Sequence, residues 1–171
     1  MSEVRILAAH EAERERSRLA EVLADCVGGG ASVGFMWPFG LEDADGWWGG
    51  VMEGVAAGRT VLFGGYADGG LAGTVQIGLD VPSNQRHRGD VKKLLVHRAA
   101  RGRGLAAALM GALEAEARRR SLTLLTLDTV TGSPAERLYG RLGWTKVGVI
   151  PNYALWPDGR PCDTTVFWKA P

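Results

Sequence analysis

Between Asp90 and Asp128 the chain changes character three times, and that succession constrains the fold more than any other feature. A strand-like segment over 90–96 ends in the apolar run Leu94-Leu95-Val96. The loop Arg101-Gly102-Arg103-Gly104-Leu105-Ala106 follows and opens a helical pattern from Gly104 to Arg120. In it Leu105, Leu109 and Leu113 share a face beside Ala108 and Ala112, and Glu114–Arg118 reads as an i,i+4 ion pair in the favoured order. Thr123 to Asp128 is a strand again. A strand–helix–strand unit requires its two strands to run parallel, with a right-handed crossover. Two glycines let the loop curl without Cβ clashes. The helix start leaves N–H groups without intrahelical partners, and its dipole favours negative charge. With Arg101 and Arg103 beside it, the loop is a cradle for a phosphate or pyrophosphate. No G-x-G-x-x-G follows the strand, so a dinucleotide fingerprint fits poorly.

The remaining pattern surrounds this unit. Val4–Leu7 reads as a strand, and Glu11–Val27 as a helix whose Leu19, Val22, Leu23 and Cys26 recur at helical spacing until Gly28-Gly29-Gly30 stops it. A glycine-rich aromatic stretch, Ala31–Gly40, leads into a weaker helix over Leu41–Ala57. Thr60–Tyr66 and Leu71–Leu79 form a hairpin across Asp68-Gly69-Gly70, and Val81–Gly89 is a polar loop. Ser133, Pro134 and Glu136 spell a helix start: N-cap, first helical position and capping-box acid. That helix ends near Gly143, and strands follow over Thr145–Ile150 and Thr164–Lys169. The expected class is α/β (α+β). It is a mixed, mostly antiparallel sheet of about six to seven strands with flanking helices, forming a single domain over residues 1–171.

Hydrophobic residues make up 46% of the chain, which argues against disorder. Twenty basic and nineteen acidic residues leave a net charge of +1, so nothing global attracts nucleic acid or an anionic membrane. No secretory h-region and no bilayer-length apolar run are present, which points to the cytoplasm. Cys26 and Cys162 are far apart and read as reduced thiols, and His10, His87 and His97 lack metal-ligand spacing, so no metal is expected.

Arg101-Gly102-Arg103-Gly104-Leu105-Ala106 resembles the R-x-x-G-x-A signature of the GCN5-related N-acetyltransferases, with Val96 five residues ahead. Ala135, Tyr139, Gly143 and Trp144 resemble that family's second motif, and the element order agrees over nearly the whole chain. Segments 29–36, 101–105, 127–129, 132–133, 145–148 and 157–160 are similar to the tabtoxin-resistance branch of the family. Two positions depart: Arg98 stands where members often carry proline, and Gly132 where many carry an asparagine.

The resemblance implies acetyl-CoA as cosubstrate and a splay between strands 90–96 and 123–128 that admits its pantetheine arm. Leu94, Leu95 and Val96 would offer backbone partners, with an N–H near Leu94 or Leu95 as an oxyanion-type donor. Arg101, Gly102, Arg103, Gly104, Leu105 and Ala106, with Ser133 and Tyr139, complete the implied cofactor-binding set. An attacking amine must lose a proton, and Asp90, Asp128 and His87 are candidate bases. Tyr139 is the candidate acid for the departing thiolate; its alternative is a core aromatic. Neither cysteine adjoins a histidine, so direct transfer without an acyl-enzyme is expected.

The aromatic segment 33–39 with Phe35 and Trp37, together with Trp47, Trp48 and the loops 81–89 and 152–161, are candidate walls of the acceptor pocket, and Asn84, Asp158 and Arg160 are candidate polar contacts in it. The acceptor class implied is a small primary amine, amino-acid-like or a β-lactam toxin. A non-catalytic acetyl-CoA-binding module and a protein or peptide N-acetyltransferase remain open alternatives. An unpaired sheet edge and exposed aromatics would permit a homodimer.

Overall fold

Strand β2 (Thr60–Ala67) is buried on both faces: Val61 and Phe63 point into one core and Leu62 into another. The sheet to which it belongs is therefore covered by helices on both sides, as its near-continuous apolar run requires. The computed structural model describes residues 3–171. Seven strands pair in the order β1-β2-β3-β4-β5-β7-β6, with β1 (Glu3–Leu7), β3 (Gly70–Gly78), β4 (Arg88–Val96), β5 (Leu124–Val130), β6 (Thr145–Leu155) and β7 (Pro161–Lys169). Every neighbouring pair is antiparallel except β4–β5, the parallel pair that the sequence demands.

Five helices flank the sheet. On one face α1 (Ala9–Arg14), α2 (Arg16–Gly28) and α3 (Leu41–Ala56) bury Leu19, Leu23, Val27 and Trp48 against Leu62 and Leu71. On the other, α4 (Leu105–Arg119) buries Leu105, Leu109 and Leu113 against Phe63, Val75 and Ile77, and α5 (Pro134–Arg141) adds Tyr139. Complete burial of a leucine contributes roughly 2 kcal/mol, so this stripe locks α4 to the sheet.

Three local expectations are corrected. The helix expected over Glu11–Val27 is two helices, because Glu15 (φ −91°, ψ 1°) leaves helical geometry between them. Glu114 does not pair with Arg118; it accepts hydrogen bonds from Trp144 Nε1 (3.1 Å) and Lys169 Nζ (2.8 Å), tying α4 to the last strand. Ser133 caps α5 by accepting from Glu136 N (3.1 Å), but the Glu136 carboxylate accepts from Gly132 N–H rather than from the N-cap.

The strand expected over 145–150 continues to Leu155. A register shift between Ile150 and Ala154 absorbs Pro151 and Asn152, the latter at φ 54°. Proline is tolerated there because β6 is the edge of the sheet.

Candidate active site

The parallel ladder between β4 and β5 holds only three pairs, Arg88–Leu124, Gly89–Leu125 and Asp90–Thr126. Beyond Asp90 the two strands part. β4 goes on pairing with β3 as far as Val96, and β5 with β7 as far as Val130. At the vertex the Asp90 carboxylate accepts from Thr126 Oγ1 (2.8 Å) and pairs with Arg88, which also holds Gln85. Asp90 is thereby a clasp that ends the ladder. It does not line the cavity that opens beyond it.

That cavity measures about 1270 Å³. Its walls include Leu94, Leu95, Val96, Arg101, Gly102, Gly104, Leu105 and Ala106 on one side, and Asp128, Ser133 and Tyr139 on the other. Gly102 (φ 76°) and Gly104 (φ 80°) both occupy the left-handed region, so the cradle loop needs glycine at these positions. Arg101 folds back to donate from Nε to Val96 O (3.0 Å). Arg103 is turned away instead, pairing with Asp68 on the β2–β3 turn, and does not line the cavity.

The donor set fits the phosphates of acetyl-CoA. The first N–H groups of α4, two left-handed glycines and Arg101 converge on one end of a space large enough for an extended cosubstrate. Among the described residues no cluster of three His, Cys, Asp or Glu side chains is placed to hold a metal.

A second break in regularity lies in β4. The β3–β4 register slips between Thr74 and Gln76, and Lys93 sits at φ 56°. The bulge reverses the phase of the strand: Val91 packs in the α4 core, whereas Leu95 packs in the opposite one. It also carries Lys93 to the cavity wall, where Nζ donates to Val33 O (2.8 Å) and lies 5.4 Å from the ring centroids of Phe35 and of Trp47. Burial, then Lys92, push the Lys93 ammonium below its usual range, while Asp128 pulls it up. Tyr139 is 5% exposed, and burial together with the Asp128 charge raises its phenol well above the ordinary value. Asp128 thus acts on both groups across one space.

Residues 30–40 cover this end. Ser32 Oγ donates to Leu155 O (2.6 Å), Trp37 N to Pro157 O (3.0 Å) and Trp37 Nε1 to Val27 O (2.8 Å). Ser32, Val33, Gly34, Tyr153 and Trp156 line the cavity. None of the seven individually named acceptor candidates does. Phe35 lies behind Lys93, against Phe39 and Trp47, and Trp37 is 46% exposed on the outside of the cover. Asn84 stands in a turn before the closed end of β4, and Asp158 pairs with Arg160 in the β6–β7 turn. His87 is exposed at that closed end as well, and Trp48 is fully buried in the core.

Of the stretches expected to wall the pocket, 33–39 contributes Val33 and Gly34 and 152–161 contributes Tyr153 and Trp156, whereas 81–89 contributes nothing. Sequence reasoning missed Lys93, which the bulge hides.

Residues 18–144 match the model of the acetyltransferase (GNAT) family, and the chain belongs to that family. It is an acyltransferase of the N-acetyltransferase type. Solved structures of similar fold include a ribosomal-protein-alanine N-acetyltransferase from Brucella melitensis, 20% identical, with TM-score 0.80 and 99% of each chain covered. An acetyltransferase from Salmonella typhimurium with its cofactor acetyl-CoA is 19% identical, with TM-score 0.80, covering 99% of this chain and 94% of that one. A third, described as a phosphinothricin N-acetyltransferase, is 16% identical, with TM-score 0.80, covering 99% and 98%.

Proposed function

We propose that this protein transfers acetyl directly from acetyl-CoA to the primary amine of a small, amino-acid-like acceptor. One observation carries the reading. The β4–β5 ladder stops at Asp90–Thr126, and the cavity beyond it has the anion cradle at one end and Asp128, Tyr139 and Lys93 around its walls. Acetyl-CoA supplies an activated thioester; the chain supplies placement and proton management. Beyond Asp90 the β5-facing side of β4 has no strand partner, so the amide groups on that side are free to hold the arm and polarise the carbonyl. Asp128, open to solvent at the cavity wall, takes the proton from the acceptor ammonium. Asp90, held by Arg88 and Thr126, positions the strands instead. Tyr139, which as a phenol is protonated in the neutral range, lines the cavity and gives its proton to the leaving thiolate.

Small acceptors fit the covered end, where Ser32 and Trp37 are tied to the β6–β7 region. A peptide acceptor is the second reading, favoured by the fold shared with the Brucella enzyme. A branch-specific role in resistance to a β-lactam toxin is a finer form of the first reading. It rests on the sequence segments similar to the tabtoxin-resistance branch.

The test is release of CoA thiol with a panel of amines, including free amino acids, tabtoxinine-β-lactam, polyamines and N-terminal peptides. Tyr139→Phe is expected to lower kcat by about a hundredfold while acetyl-CoA affinity and Tm stay near wild type. Asp128→Asn is expected to lower kcat/KM comparably. Wild-type turnover in Tyr139→Phe would make Tyr139 a core aromatic only. Binding of acetyl-CoA without thiol release from any amine would favour a sensing module.

A further inference from the structure

We infer that Lys93 reads a carboxylate on the acceptor, so that the substrate of this enzyme is a zwitterion held with its amine toward Asp128 and its acid group toward Lys93. The inference rests on the acetyltransferase reading above and adds a charge requirement to it.

Lys93 is an unusual lysine in three respects. It is half-buried on the wall of the cavity, not on the outer surface. It forms no ion pair with a carboxylate among the described residues; Nζ has one hydrogen bond, to Val33 O at 2.8 Å. And its backbone is in the left-handed region, at the bulge that reverses the phase of β4 and turns this side chain to the cavity wall.

An ammonium withdrawn from water without a counter-charge is costly. The faces of Phe35 and Trp47, each 5.4 Å away, offset part of that cost. Two of the three N–H donors of Nζ have no protein acceptor. A ligand carboxylate would supply both the acceptors and the missing charge.

The opposite wall has the complementary sign. Asp128 lines the same cavity and acts electrostatically on both Lys93 and Tyr139. A simple diamine would place a second cation against Lys93 and its neighbour Lys92, which also borders the cavity. A neutral amine would leave Lys93 unpaired. An amino acid, α or ω, satisfies both walls at once. The aromatic rings behind Lys93 hold the ammonium in place but do not themselves reach the cavity lining. They are thus support for the lysine and not contacts for the acceptor.

The competing role is that of a strut, with Lys93 merely pinning the 30–40 cover through Val33. The two roles separate in matched substrates. Each of a set of α- and ω-amino acids is offered beside its own carboxamide, and thiol release is followed for wild type and Lys93→Met.

Wild type is expected to favour the acid over its amide by at least about tenfold in kcat/KM. Lys93→Met is expected to abolish that preference, raising the acceptor KM of the acid by about tenfold relative to that of its amide. Equal losses for acid and amide would make Lys93 a strut and overturn the inference. Preference of the wild type for amides or diamines would overturn it too, while leaving the acetyltransferase reading intact. Absence of thiol release with every amine would remove that reading, and this inference with it.

Calorimetry on the wild-type chain gives a measurement that needs no variant. N-acetylated acids are expected to bind at least about tenfold tighter than the corresponding N-acetylated amides. Equal affinity would refute the role of Lys93.

Discussion

Two alanine substitutions in α4 should move stability in opposite directions, although glycine is replaced at both and neither new Cβ meets a protein atom within 4 Å. At Gly111, in the helix interior, alanine removes unfolded-state freedom and raises helix propensity, a gain of about 0.5–1 kcal/mol. At Gly104, the N-cap, φ is 80°, and an L side chain in that region costs about 1–2 kcal/mol. For a chain of this size each kcal/mol shifts Tm by about 2–4 °C. Scanning calorimetry should therefore show Gly111→Ala about 1–4 °C above wild type and Gly104→Ala about 2–8 °C below it.

The second difference is functional. Gly104 lines the cavity, so on the proposed reading the methyl would occupy room beside the helix amides assigned to the phosphates of acetyl-CoA. Losing one charge-assisted contact there should raise the acetyl-CoA KM by about tenfold or more in Gly104→Ala. Gly111→Ala should leave it unchanged. A Gly104→Ala protein with wild-type Tm and wild-type KM would refute both the strain argument and the cradle.

The remaining expectations concern charge and assembly. Glu116 is nearly buried on α4 and accepts from Arg119 Nε (2.6 Å) and Arg120 Nε (2.6 Å); the Arg119 bond first, then Arg120, hold its carboxyl below the ordinary 4.5. Because the folded value is the lower one, this stabilisation is complete above the unfolded pKa and disappears as pH falls through the folded value. The Tm difference between wild type and Glu116→Gln should be constant from pH 8 to about 6 and shrink below about 4.5; a difference that grows on acidification would contradict the sign. The edge strand β6 exposes Val147 (66%) and Tyr153 (59%), and we propose that it joins two copies of the chain. Sedimentation should give a dimer that Val147→Lys dissociates, and a wild-type monomer at micromolar concentration would exclude it.

The parallel β4–β5 pair, the α4 stripe and the Ser133 cap were legible because each is a local pattern with one physical solution. The cradle loop was legible for the same reason, since glycine spacing, helix start and charge coincide within six residues. What could not be read was phase. A regular strand would put Val91, Lys93 and Leu95 on one face, yet the bulge sends Val91 and Leu95 into opposite cores. No alternation rule locates a bulge without its partner strand, so nothing in the sequence marked Lys93 as a residue of the cavity wall. Asp90 and Asp128 were equivalent as strand-end acids. They separate only where the ladder stops, which depends on the register of two strands more than 30 residues apart and is set by tertiary packing.

The parting of β4 from β5 gives this protein a sheet edge in its own interior. Outer edges are exposed to any passing strand, and chains commonly guard them with charge, bulges or proline. The inner edge is guarded by depth: α4, α5 and the 30–40 cover leave a passage for something narrow and amide-bearing, and no room for a folded neighbour. A ligand that copies an extended peptide backbone would thus complete the sheet from within. Blocking this enzyme then becomes a problem of strand mimicry as much as of mimicking a nucleotide.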